Sequence, residues 1–142
     1  YEIADPFLRF WFRFIYKNRS ATEIGNYTYV KDIIDRDYPT YSGIEFEQLL
    51  REILKESMQF NRIGNFWDRS GHNEIDIVAV NDTQKIALFV EAKRRQKNYN
   101  EQDLLEKVSY AKAKLKLKGY TIKHRGVSLD TLEAFIADFP AT

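Results

Sequence analysis

The 142-residue chain contains no cysteine, one methionine, two histidines, three prolines and six glycines. Without cysteine there is neither a disulfide framework nor a cysteine-ligated zinc site. That usage is compatible with the cytosol, and a cytoplasmic location is expected. No run is long and apolar enough to span a bilayer, and no signal peptide opens the chain, so no membrane role is expected. There is no Gly-rich phosphate loop of the Walker type and no dinucleotide fingerprint, which excludes an ATP site built on those motifs within these residues. The chain starts on Tyr1 rather than methionine and opens in mid-pattern. It is therefore expected to be a piece of a longer protein, of a kind whose oligomeric state composition does not define.

What is present is the material of an ordinary globular domain. The chain is 44% hydrophobic and 15% aromatic, enough for a real core at this length. Its net charge of +1 hides an asymmetry: residues 92–125 carry eleven Lys/Arg against three Asp/Glu, a local +8 that leaves −7 elsewhere. A basic segment of this kind suits a phosphate backbone, and it equally suits a solvated lysine-rich helix face.

The central stretch is residues 74–93, where two apolar, β-branched runs flank a polar turn in the pattern of a β-hairpin. Alternation along a strand puts Glu74, Asp76, Val78 and Val80 on one face, and Ala87, Phe89, Glu91 and Lys93 on one face of the second run. A four-residue turn at 82–85 pairs Asn81 with Ile86 and sets Asp76 opposite Glu91. A two-residue turn sets Glu74 opposite Glu91 instead. Either register gathers at least two carboxylates beside Lys93, and like charges opposed across strands destabilise a sheet. A divalent cation with oxygen ligands offsets such repulsion, and a nearby lysine can hold an attacking water or a phosphate. A solvated strand end with surface Glu–Lys pairing is the plainer alternative.

The remaining elements follow in order. Tyr1, Glu2 and Ile3 read as the end of a strand. Asp5 caps an aromatic helix opened by Pro6 and apolar on nearly all sides, hence buried, with its end at 18–20. A short helix is expected at 29–35, ended by Pro39. Ser42 and Glu45 form a capping-box pattern for a helix over 44–58 that buries Phe46, Leu49, Leu50, Ile53 and Leu54. Glu47 sits at the margin of that stripe. Strands are expected at 60–67 and 120–127, a helix capped by Asn100 and running to about Lys118 with Leu104, Val108, Ala111 and Leu115 buried, and a last helix from Ser128. His72 lies in a turn beside Gly71 and reads as a solvated loop residue. The domain organisation is thus a helical extension over 1–41 and an α/β domain over 42–142.

This order, α-β-β-β-α-β, and these residues resemble the PD-(D/E)XK nuclease-like superfamily. The resemblance implies a restriction-endonuclease-like core with a central mixed sheet flanked by helices, preceded here by the N-terminal aromatic helix. Carried over by position, Asp76 matches the acid of the second strand, Glu91-Ala92-Lys93 the triplet of the third, and Glu47 the glutamate of the first helix. Ile75 stands where the nominal motif has proline, and the glutamine motif of RecB-like nucleases has no good match. More narrowly, residues 1–14, Gly43 with Phe46-Glu47, residues 74–79 and residues 91–93 resemble the domain of unknown function at the C-terminus of archaeal and bacterial AAA-type ATPases.

The resemblance implies Mg²⁺ or Mn²⁺ at Asp76 and Glu91, with Lys93 positioning or activating water and Glu47 assisting. DNA would be the substrate, cut without strong sequence preference, and the N-terminal ATPase portion would be the partner. Lys112, Lys116, Lys123 and Arg125 are expected to contact phosphates. The rival expectation is a non-cutting module that binds nucleic acid or a partner for the ATPase.

Overall fold

A computed structural model describes residues 3–142, in which the chain divides into two units, Tyr1–Glu45 and Phe46–Thr142. The strand end expected at Tyr1 and Glu2 lies outside the described residues.

In the first unit, Asp5 accepts the Leu8 N–H at 3.0 Å and Pro6 opens helix α1 (Pro6–Phe10). The chain then widens the expected single helix into a π-helical turn over Trp11–Tyr16. Of these two segments only Phe14 is buried, against Phe10 and Tyr41 at 5.0 and 5.3 Å between ring centroids. Phe7 is 71% exposed and Phe12 and Tyr16 are exposed too, so the expectation of a helix buried all round is corrected. A unit this small has too little interior to cover every side of an aromatic helix. A short helix α2 (Arg19–Glu23) follows.

Helix α3 runs unbroken over Tyr27–Glu56, with Pro39 inside it. The expected stop at Pro39 and fresh start at Ser42 therefore do not occur, and the Ser42 hydroxyl donates to the Pro39 carbonyl at 3.3 Å instead. Proline removes one ladder hydrogen bond. Contacts in the turns after it offset that loss: Tyr41 packs on Phe14, and Glu45 receives a two-pronged bond from Arg9, Nε to Oε1 at 2.9 Å and Nη2 to Oε2 at 2.6 Å.

The second unit is built on a four-stranded mixed sheet in the order β1-β2-β3-β4. Strands β1 (Arg62–Phe66), β2 (Ile75–Asn81) and β3 (Ile86–Ala92) are antiparallel neighbours. Helix α4 (Glu101–Lys114) then carries the chain across so that β4 (Thr121–Val127) lies parallel to β3, as a strand–helix–strand unit requires. The class is α/β, a mixed sheet flanked by helices. β2 and β3 are buried on both faces. Val78, Val80, Ala87 and Phe89 meet Leu104, Val108 and Ala111 of α4. Ile77, Ala79, Leu88 and Val90 meet Phe46, Leu50 and Leu54 of α3 and Phe135 of α5 (Leu132–Asp138). Leu49, expected inside, is 45% exposed.

The end of α4 also departs from expectation. The helix stops at Lys114, not near Lys118, because Lys116 turns left-handed (φ 56°). The Leu117 and Lys116 N–H groups return to the Lys112 and Ala113 carbonyls at 3.1 and 3.3 Å, which closes a Schellman motif. The reversal drops Leu117 into the core and leaves Leu115 exposed.

At the β2–β3 turn, Asp82 gathers Arg62 (Nε 2.8 Å, Nη2 2.9 Å), Asn61 (2.8 Å) and the Tyr120 hydroxyl (2.6 Å). The turn is thereby tied to β1 and to the start of β4. These donors, Arg62 first, hold the Asp82 carboxyl far below the usual carboxylate range. A depressed folded-state pKa contributes stability above the unfolded value of about 4 that is lost as pH falls through the folded one. Asp82→Asn is expected to lower the urea midpoint at pH 7, with the two proteins converging in acid. Equal midpoints at pH 7 would show that the turn does not depend on this carboxylate.

Candidate functional site

The β2–β3 register settles which carboxylate faces which. Pairing runs from Asn81↔Ile86 to Ile77↔Val90, the register of the four-residue turn, and continuing it by one residue places Asp76 opposite Glu91. There the regular ladder gives way to side chains. Asp76 Oδ2 accepts the Ala92 N–H at 2.8 Å, while the Lys93 N–H turns to the Val127 carbonyl at 2.9 Å. The Asp76 carbonyl is held by Arg51 Nη2 at 2.9 Å, which ties α3 to this end of β2.

Glu91 is 6% exposed. Its Oε1 lies 3.3 Å from Lys93 Nζ and 3.3 Å from Lys107 Nζ, and Lys107 also reaches Asp103 at 3.0 Å. Burial alone would depress the Lys107 ammonium, but Asp103 and Glu91 together raise it above its ordinary value, so it stays charged. The other oxygen, Oε2, is buried with no hydrogen-bond partner among the described residues. Tyr99 closes over this spot. Gly126 pairs with Glu91, and a Cβ at Gly126 would meet the Tyr99 ring at 2.3 Å. A side chain at Gly126 is therefore incompatible with the ring where it stands.

Glu47 projects from α3 beside Arg51, 3.6 Å away. Its carboxyl is pushed up by burial and then by the Asp76 charge, with Arg51 and Lys93 opposing. Asp76 is likewise pushed up by burial, and also by Glu91 and Glu74, against the Ala92 N–H and Lys93. The structure thus brings Asp76, Glu91, Lys93 and Glu47 into one electrostatic group at one end of the sheet. It treats Glu74 as an exposed neighbour of that group.

The donors here are all oxygen, which suits a hard divalent cation. The unpartnered Glu91 Oε2 is what such an ion would engage, together with the second oxygen of Asp76. Among the described residues no group of three or more His, Cys, Asp or Glu is arranged to hold a metal. The fit is therefore to an ion held by two carboxylates and completed by water or phosphate, rather than to a closed protein cage.

The basic residues expected to meet phosphates fall into two separate places. Lys112 and Lys116 are exposed around a shallow hollow at the end of α4, with Ser109 and Lys118. Lys123 and Arg125 lie toward the α5 side of the sheet, where Arg125 pairs with Asp138 at 2.5 Å and stands over the Phe135 ring. Five other residues at or beside this end of the sheet were not singled out by the sequence reading. Arg51 carried a signal, the i,i+4 spacing from Glu47. The cations Arg94, Arg95 and Lys97, directly after the Glu91-Ala92-Lys93 triplet, contributed only to the charge count. Lys107 carried none, because its role depends on which way α4 faces.

This is an α/β domain with a carboxylate–lysine cluster at the ends of its central strands. It belongs to the DUF234 family, described as archaeal and bacterial proteins of unknown function, whose model matches residues 11–107. The chain is similar to Uncharacterized protein MJECL04 of Methanocaldococcus jannaschii, 37% identical over 122 residues that cover 81% of this chain. It spans only 27% of that relative's length. No solved structure matches it. Among the described residues no helix is long and apolar enough to cross a membrane.

Because the Asp76 carboxyl is raised, its charge costs stability that is absent below the unfolded pKa of about 4 and full above the folded one. Asp76→Asn keeps an acceptor for the Ala92 N–H. Without divalent cations it is expected to melt at or above the wild-type temperature at pH 7, with the difference closing as pH falls below about 4. A clearly lower melting temperature would show that the Asp76 charge is satisfied by the protein alone.

Proposed function

We propose that this chain is a nuclease-like domain that hydrolyses DNA phosphodiester bonds with the help of Mg²⁺ or Mn²⁺, as the C-terminal part of an AAA-type ATPase. In this reading the mixed sheet is a restriction-endonuclease-like core. The observation that carries it is the convergence of Asp76, Glu91 and Lys93 from two neighbouring strands with Glu47 from α3. The ATPase connection rests on the resemblance of the chain's blocks, and the greater length of the archaeal relative leaves room for it.

A divalent ion at such a site polarises a phosphoryl oxygen and lowers the pKa of bound water. Asp76 and Glu91 would hold it. The Ala92 N–H and Arg51 fix Asp76 and its strand, so that carboxylate needs little rearrangement on binding. Lys93, at the mouth of the site and only partly buried, is placed to neutralise a phosphate or orient a water. Glu47, whose raised pKa favours the protonated form relative to an ordinary glutamate, can take up or give back a proton. Lys107 holds Glu91 from behind.

A second reading, binding without cutting, is favoured by the two lysines already on Glu91 Oε1 and by the small number of acidic donors. The deciding experiment incubates supercoiled and single-stranded DNA with wild type, Asp76→Ala and Lys93→Ala, in Mg²⁺, in Mn²⁺ and in EDTA. Metal-dependent cutting reduced about 100-fold or more in both variants is the expected result. Binding that falls steeply with salt and never yields product would support the non-cutting module instead.

A further inference from the structure

The loop between β1 and β2 carries a feature that the carboxylate cluster does not use. Trp67, the first residue after β1, is 66% exposed, whereas Phe66 before it is 8% exposed. The ring is not on a loose segment. Asp68 Oδ1 accepts the Ser70 hydroxyl at 2.8 Å and Oδ2 accepts Asn73 Nδ2 at 2.7 Å. The Gly71 N–H returns to the Asp68 carbonyl at 3.1 Å, and Gly71 itself supplies the left-handed turn at φ 71°. A large aromatic side chain is thus presented to solvent from a bonded loop, a state that forgoes the gain from burying it.

Its place in the sheet gives it meaning. Phe66 pairs with Ile75, so Trp67 leaves the sheet at the end where Asp76, Glu91 and Lys93 stand. At about 4.8 Å between strands, it emerges one strand from Asp76 and two from Glu91. Exposed cations share that end: Arg69 on the same loop, and Arg94, Arg95 and Lys97 after β3, with no acid from Ala92 to Asn100. An exposed aromatic face with cations at the same end of the sheet is the equipment of single-strand recognition, in which bases stack and the backbone is held by charge. A base inside a duplex already has both faces covered, so such a platform selects an unpaired one.

We propose that Trp67 is a stacking platform for an unpaired nucleobase, with Arg69, Arg95 and Lys97 meeting the phosphates beside it, which directs the site to single-stranded or gapped nucleic acid. This deepens the nucleic-acid reading above and rests on it. Stacking is sequence-tolerant because every base has a π-face, so no strong sequence preference is expected.

The chain has two tryptophans, so Trp11→Phe leaves Trp67 as the reporter. Indole fluorescence is titrated with short oligo(dT) and with a duplex of equal length, both in EDTA. Anisotropy of labelled DNA, read in the otherwise native chain, supplies affinities even if Trp11→Phe folds poorly. The expected result is quenching by oligo(dT). Trp67→Ala should weaken oligo(dT) binding about ten-fold, with duplex affinity unchanged and Trp67→Tyr restoring most of the loss. Binding of oligo(dT) without quenching, or an equal loss on duplex, overturns the platform and leaves the nucleic-acid reading standing. Unchanged affinities in Trp67→Ala overturn it too. No binding of either DNA at low salt removes both readings.

Discussion

The site depends on one constraint, the register of the β2–β3 hairpin. A four-residue turn pairs Asn81 with Ile86, and everything at the far end follows from it. Two carboxylates are set against each other at the end of the sheet, Glu91 buried and Asp76 half-buried. Shifting the register by one residue would move every side chain of a strand to the other face. Val78, Val80, Ala87 and Phe89 on one side, and Ile77, Ala79, Leu88 and Val90 on the other, forbid that shift. The apolar packing that stabilises the sheet therefore also enforces the repulsion at its end. The chain moderates it locally: the Ala92 N–H binds Asp76, Arg51 holds its carbonyl, and Lys93 and Lys107 share one oxygen of Glu91.

Much of this was legible in the sequence wherever a local rule and the tertiary structure agree. The β2–β3 hairpin, the first and fourth strands, the helix capped by Asn100 and the Ser128 start all follow from alternation, caps and turn residues, whereas the directions of β1 and β4 come only with the structure. The hairpin was readable except for its turn length, and that uncertainty kept Glu74 and Asp76 interchangeable. Tertiary packing resolved it, since residues 74 and 76 share a face and no local rule distinguishes them.

Where the reading failed, a nearby contact overrode a local signal. Pro39 and Ser42 are sound reasons to break a helix, yet Tyr41 and Glu45 find partners only if α3 continues. The helix capped by Asn100 was expected to run to about Lys118, but its stop is a left-handed Lys116, because burying Leu117 needs the chain to reverse there. The aromatic helix was read as buried because its residues are apolar, although a small unit cannot cover them all. In the site, Lys107 and Tyr99 were invisible because Lys107 acts across the α4–sheet contact and Tyr99 packs from the segment before α4 against Gly126 of β4, neither of them along the chain. The predicted phosphate contacts suffered in the opposite way. Charge counting found a basic segment without showing that Lys112 and Lys123 would lie toward different faces of the sheet.

The central claim is that Asp76 and Glu91 are held together against their repulsion as the seat of a divalent cation. Melting temperature measured against Mg²⁺ or Mn²⁺ concentration tests it most directly, because an ion that binds only the folded state raises stability with concentration. The account predicts a concentration-dependent rise in wild type that Asp76→Asn abolishes. No rise in wild type, or the same rise in the variant, would contradict it.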